Sequence, residues 1–254
     1  MIISVAELQM FFLAFCRIAM MMIFMPVLGG ITIPTQVRLV TAILLTMVML
    51  PWQPLPTGTA AMPTFEVGMA IVREMVVGFF VGYVAECSFG AIQVAANFLG
   101  ANTGFAAGQI LNPTFGSSGS AFDSLYLITA TLIFLALDGH LLYIKAMAIS
   151  FEVVPLNHAL PQFSLEHTAR MFATLVASGV YLALPVIAAL VLTDVSAGLL
   201  ARVAPQVQVY FLMIDVKLIL SLVGVAIAFV ITLPFMRDIL LQMGPRGLSL
   251  IGTQ

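Results

Sequence analysis

From Met171 to Thr193 the chain carries no charged residue, and the same holds from Leu218 to Met236. A helix needs about 20 apolar residues to cross the hydrocarbon of a bilayer. Such stretches restrict the chain severely. In hydrocarbon every backbone N–H and C=O must be satisfied internally, which leaves helices and closed barrels. These runs are too long and continuous for strands, so the expected fold is all-α. The rest of the chain agrees: 62% of residues are hydrophobic, 8% are charged, and the mean hydropathy is +1.15. A soluble domain would carry roughly 25% charged residues. The expectation is a polytopic membrane-class protein, and a net charge of −2 gives no reason to expect nucleic-acid binding.

Six apolar segments can be traced, at 9–28, 36–50, 67–99, 121–150, 168–195 and 211–234. Between them lie Pro26, Gly29, Gly30 and Pro34, then Pro51, Pro54, Pro56 and Pro63, then Asn112-Pro113, Pro155, Pro161 and Pro205. Proline lacks the backbone donor and fixes its own φ, so it ends helices. Most segments are poor lipid spans. Arg73, Glu74 and Glu86 interrupt the third, Asp138, His140 and Lys145 the fourth, and the sixth begins across Asp215 and Lys217. Charges at membrane depth are costly and face protein or water. Much of the apolar surface is therefore expected to meet other protein. Arg73 and Glu74 are adjacent and diverge by about 100° on a helix, so each requires a partner from another segment or subunit. Asp194 and Arg202, near the end of the fifth segment, are too far apart along a helix to bridge. Gly78 and Gly82, with Gly100 further along, mark a smooth edge for close helix packing.

One stretch is neither a good helix nor an ordinary polar loop. Gly100 to Phe122 reads GANTGFAAGQILNPTFGSSGSAF, and no charge occurs between Glu86 and Asp123. Asn112-Pro113 breaks helical continuation. Phe105, Ile110, Leu111 and Phe115 give the segment apolar tips. Irregular backbone at membrane depth must be buried in protein or line a cavity. Composition leaves two readings open: a supple segment lying across an opening, or a packed helix end with a re-entrant turn.

Catalytic signatures are missing. His140, His158 and His167 have no metal-ligand spacing, and no HExxH, CxxC, P-loop or GxSxG motif occurs. Cys16 and Cys87 read as small apolar side chains, not as a disulfide. Asp138-Gly139-His140 reads as a helix end carrying glycine, in preference to a proton relay. The start, MIISVAELQMFF, lacks the basic region of a cleavable signal. The expectation is no enzyme, no cofactor and no metal.

Leu182–Phe211, LALPVIAALVLTDVSAGLLARVAPQVQVYF, closely resembles the C-terminal half of the FliR family of flagellar biosynthetic proteins, whose SctT relatives serve virulence type III secretion. Four further pieces agree in order and spacing. Arg17 with Pro26, then Pro34 with Arg38, resemble the family's first hairpin. REMVVGFFVGY (Arg73–Tyr83) resembles its E-x-x-x-G-x-x-x-G helix. GFAAGQILNP (Gly104–Pro113) resembles its central loop, and LDGHLLYIKAMAISFEVVP (Leu137–Pro155) its NGH…SF…P stretch.

The resemblance implies a single domain over 1–254, with N-terminal hairpins at 1–99, a central plug loop at 100–122 and C-terminal helices at 123–254. It implies a closed helical pore built with FliP-like and FliQ-like subunits, wrapped by FlhB-like and underlain by FlhA-like export components, in the bacterial inner membrane at the flagellar basal body. Unfolded protein substrates would pass through it. The plug would comprise Gly104, Phe105, Gly108, Gln109, Ile110, Leu111, Asn112, Pro113 and Phe115. Asn112 stands where the family usually has Asp, and Gly108 and Ile110 where larger or aromatic residues are common. Asp215 stands near a family Pro. A buried Asp needs a partner, so Arg73, Glu74, Glu86, Arg202, Asp215 and Lys217 are the charges expected to be buried or used in assembly. Two alternatives follow: a virulence-type export subunit, and a proton-coupled secondary transporter using Glu74, Asp138, Asp194 or Asp215. Transporters of that class show paired repeats, and none is visible in the sequence.

Overall fold

The computed structural model describes residues 4–29, 33–52, 61–102, 121–159, 165–203 and 233–251, with 216, 219, 220, 222, 223 and 226 in addition. The protein is an all-α membrane protein, and no strand occurs among the described residues. Among the described residues the helices include α1 (Val5–Ile23), α2 (Thr35–Met49), α3 (Thr64–Asn102), α4 (Ala121–Ala136), α5 (Gly139–Val153), α6 (Leu165–Val203) and α7 (Met243–Ile251), with a 3-10 turn at Leu50–Trp52; residues 233–241 are helical as well. Three of them, α1, α3 and α6, are long and apolar enough to cross a membrane, or up to four spans if α4 and α5 count as one bent pair. The chain forms two compact units. One holds residues 1–88, 134–172 and 240–254, and the other holds 89–133 and 173–239.

Local chemistry sets the element ends. Ser4 caps α1 in a reciprocal box: its hydroxyl accepts from the Glu7 N–H at 3.2 Å, and the Glu7 carboxylate accepts from the Ser4 N–H at 2.8 Å. Pro34 precedes α2, where its missing donor costs nothing. The third apolar segment is one uninterrupted helix of 39 residues despite its charges, and it runs on to Asn102. The expected plug loop at 100–122 thus begins with the last turn of α3, and its final residues, Ala121 and Phe122, open α4. The fourth segment is two helices. Asp138 adopts the left-handed conformation at φ 53°, and Gly139 starts α5. A Cβ on Gly139 would sit 2.8 Å from the Phe134 carbonyl oxygen and strike its ring, so glycine is required at this break. Pro185 lies inside α6 without ending it.

In the first unit α1, α3 and α5 share a core built from Leu13, Ile18, Met21, Val77, Val81, Tyr143 and Met147. Pairings at Gln9–Met62, Arg17–Glu74 and Phe24–Gly82 show α1 and α3 running parallel. Tyr143 donates to the Met21 carbonyl at 2.8 Å, while residues near the end of α5 meet Arg17, so α5 runs antiparallel to both. Short α7 follows the same core: Gly247 lies against Val81, and Gly244 against Ala146. In the second unit Gly179 of α6 meets the Ala91 backbone of α3, an approach that only a residue without a side chain permits.

Candidate functional site

Glu74, Gly78 and Gly82 are spaced by four, so they form one stripe on α3. The stripe lies along Arg17, Met20, Met21 and Phe24 of α1. A Cβ on Gly78 would sit 2.6 Å from the Arg17 carbonyl oxygen, and one on Gly82 would sit 3.0 Å from the Phe24 Cβ. The two glycines let the helices approach closely enough for the charges above them to meet. Beside the stripe an aromatic wall continues the contact. Phe79 and Tyr83 stack at 5.1 Å, and Phe24 meets both rings edge-on.

Arg17 is 0% exposed and Glu74 is 2% exposed. Nε and Nη2 of the guanidinium both lie 2.5 Å from Glu74 Oε2. The Nε–H is aligned as a hydrogen bond, whereas Nη2 contributes chiefly by charge because its geometry is poor. The other carboxylate oxygen, Oε1, accepts from the Asn157 N–H at 3.1 Å. Nη1 of Arg17 donates to the Ser150 and Val154 carbonyls at 2.9 and 2.7 Å. These carbonyls belong to the last turn and cap of α5, where helical acceptors lack intrahelical partners and the macrodipole is negative. The guanidinium also lies 4.5 Å from the Phe151 ring centroid, a cation–π arrangement. One buried pair therefore ties together α1, α3, the end of α5 and the Asn157 turn, whose φ is 62°.

The remaining expected charges are placed differently. Arg73 is half-buried and has no hydrogen bond or ion pair among the described residues. Glu86 and Arg202 lie on exposed faces of α3 and α6, so this chain alone does not bury them. Asp215 and Lys217 lie outside the described residues, as does the whole candidate plug from Gly104 to Phe115. Gly100 is buried within α3. The sequence marks Arg17 only through its likeness to the family's first hairpin and assigns it no buried role, although it is the sole charged residue between Glu7 and Arg38. A lone cation in an apolar run must find an internal partner, and that signal was available.

The arrangement has structural, not catalytic, chemistry. Glu74 is committed to Arg17 and to a backbone N–H, which leaves it poorly suited to carry protons. Among the described residues no cluster of three or more His, Cys, Asp or Glu could hold a metal ion. Both cysteines are free. Outside the spans, burial lowers the Arg246 guanidinium from its ordinary value, and its Nη2 donates to Gln242.

Comparison with known proteins gives a consistent picture. The family model for bacterial export proteins, family 1, matches residues 8–243. The flagellar biosynthetic protein FliR of Pectobacterium carotovorum subsp. carotovorum is 28% identical over 89% of this chain and 86% of its own length. FliR of Bacillus subtilis (strain 168) is 25% identical over 92% of this chain and 95% of its own length. The secretion system apparatus protein SsaT of Salmonella typhimurium is 29% identical, over 63% of this chain and 62% of its own length.

Proposed function

The chain belongs to the bacterial export proteins, family 1, a family of export-apparatus components and not of enzymes, and on that premise we propose that it is the structural and gating subunit of a flagellar type III protein export gate. Its relatives named FliR match it over most of its length, which carries the reading. The flagellar reading is favoured over the virulence one because FliR of Pectobacterium carotovorum and of Bacillus subtilis combine 28% and 25% identity with 89% and 92% of this chain, whereas SsaT covers 63% and SpaR of Shigella flexneri is 22% identical over 82%.

In this reading the chain sits in the bacterial inner membrane at the flagellar basal body. It builds a pore with FliP-like and FliQ-like subunits, contacts FlhB-like and FlhA-like export components, and passes unfolded flagellar subunits. The buried Arg17–Glu74 pair and the glycine stripe hold its first unit as a rigid wall element. The uncharged stretch from Gly104 to Phe115 closes the passage, and Phe105, Ile110, Leu111 and Phe115 exclude water and ions when it is shut. Arg73, Glu86, Arg202, Asp215 and Lys217 pair with neighbouring subunits. The chain's own surface supports an obligate assembly: Phe65 is 81% exposed, and large apolar side chains stand open on α2, which at 15 residues is too short to cross a bilayer.

Co-expression with the FliP-like and FliQ-like proteins of the same organism, followed by native mass measurement, tests the proposal. One defined hetero-oligomer containing a single copy of this chain is expected. A stable lone monomer or homodimer would overturn it.

A further inference from the structure

In its second-unit portion, α3 carries two carboxamides on its outer face, beside exposed Phe98, where a helix wholly in lipid would carry only apolar side chains. Ala91, Ile92, Ala95, Ala96 and Leu99 are all buried, with no side chain more than 2% exposed. The polar side chains lie on the opposite face: Gln93 is half-buried and Asn97 exposed, with exposed Gly90 and Ala101 at matching helical spacing. Gln93 donates from Nε2 to Asn97 Oδ1 at 3.4 Å, and the remaining donors and acceptors of the two carboxamides have no partner among the described residues. An open concavity of about 300 Å³ adjoins this face, lined by Val94, Asn97, Phe98 and Ala101. Hydrocarbon would leave those amide groups unsatisfied at a cost of several kcal/mol each. The exposed face of α6 is the contrast, with Val176, Leu184, Val191 and Leu192 outward.

We propose that the Gln93–Asn97 face of α3 lines the translocation passage and offers hydrogen bonds to the backbone of the passing unfolded polypeptide. This rests on the export-gate reading above. A carboxamide presents both a donor and an acceptor, the complement of a peptide group, and so binds any extended chain without regard to sequence. The absence of fixed charge from Cys87 to Phe122 means that neither acidic nor basic substrate segments are held back.

The test uses the assembled complex in membrane vesicles, with Cys16 and Cys87 replaced by Ser and a single Asn97→Cys introduced. Ala101→Cys serves as a second position, and Leu192→Cys as the control on α6. A charged, water-soluble thiol reagent is expected to label positions 97 and 101. Labelling is expected to fall several-fold when an export substrate fused to a tightly folded domain stalls in the passage, while position 192 does not respond. A photo-crosslinker in the stalled substrate should reach position 97. Labelling by lipid-soluble reagents only, crosslinks to a neighbouring subunit only, or labelling unchanged by the stalled substrate would each overturn the inference. Substrate crosslinks elsewhere on the complex but not here overturn it alone. Failure of the stalled substrate to crosslink anywhere on the complex overturns the export-gate reading as well.

Discussion

Replacing Glu74 with Leu would leave the Arg17 guanidinium buried with no counter-charge, because Arg17 is 0% exposed and its other partners are backbone carbonyls. Arginine does not neutralise itself by losing a proton. Breaking one side of a buried pair costs about 3–5 kcal/mol. Arg17→Met would cost a similar amount and would also leave the Val154 carbonyl unpaired, while the Ser150 carbonyl keeps the Val154 N–H. The double variant removes both charges together. What remains unpaired is the Val154 carbonyl and the Asn157 N–H, at roughly 1–3 kcal/mol each. The two single costs therefore cannot add: the double variant should fall short of their sum by about 2 kcal/mol or more. The chain contains its own control. Arg170 and Glu166 also approach to 2.5 Å, but their side chains are 78% and 74% exposed. An exposed helical pair is worth only about 0.3–0.5 kcal/mol. Detergent-denaturation curves of the purified assembly containing each variant would measure these differences. Additive costs at Arg17 and Glu74, or a Glu74→Leu cost as small as that of Glu166→Ala, would refute the reasoning.

Two further outcomes follow from backbone geometry. Gly78→Ala should destabilise the assembly, since its Cβ would press on the Arg17 carbonyl, whereas Gly90→Ala, with nothing within 4 Å in this chain, should leave the assembly as stable or raise its stability by about 0.5–1 kcal/mol; thermal melting of the assembly carrying each variant in detergent separates them. Val27 has φ 70° in a tight turn where the Leu28 N–H donates to the Pro26 carbonyl, a strained setting for a β-branched residue, so Val27→Gly should raise the melting temperature, by a relief of about 1 kcal/mol.

Much of this architecture is written locally. Proline and glycine positions mark where helices stop, and the apolar runs mark where they persist, so the all-α fold follows from short-range chemistry. The E-x-x-x-G-x-x-x-G spacing announces a stripe on α3 before any partner is known. The partner itself is not local. Arg17 and Glu74 are 57 positions apart, and nothing near either residue names the other. Their meeting depends on the close parallel approach of α1 and α3 that Gly78 and Gly82 permit. The break at Asp138-Gly139 is legible as a helix end from its glycine and polar neighbours, although hydropathy runs straight through it and does not register a left-handed φ. The short helix α7 lies beyond the last apolar segment, and its two glycines and one proline in nine residues leave too few apolar side chains for hydropathy to mark it, although those it has recur at helical spacing. Glu86 shows the limit of one chain: it is a charge within an apolar run, and the helix turns it outward, where only a neighbouring subunit could bury it.

The central claim is that this chain is a working part of a type III export apparatus. The most direct measurement is secretion of flagellar subunits into the medium by cells lacking the chain, complemented with either the natural sequence or Glu74→Leu. The account predicts that secretion is lost without the chain, returns with the natural sequence, and is strongly reduced with Glu74→Leu. Undiminished secretion in cells lacking the chain would contradict it.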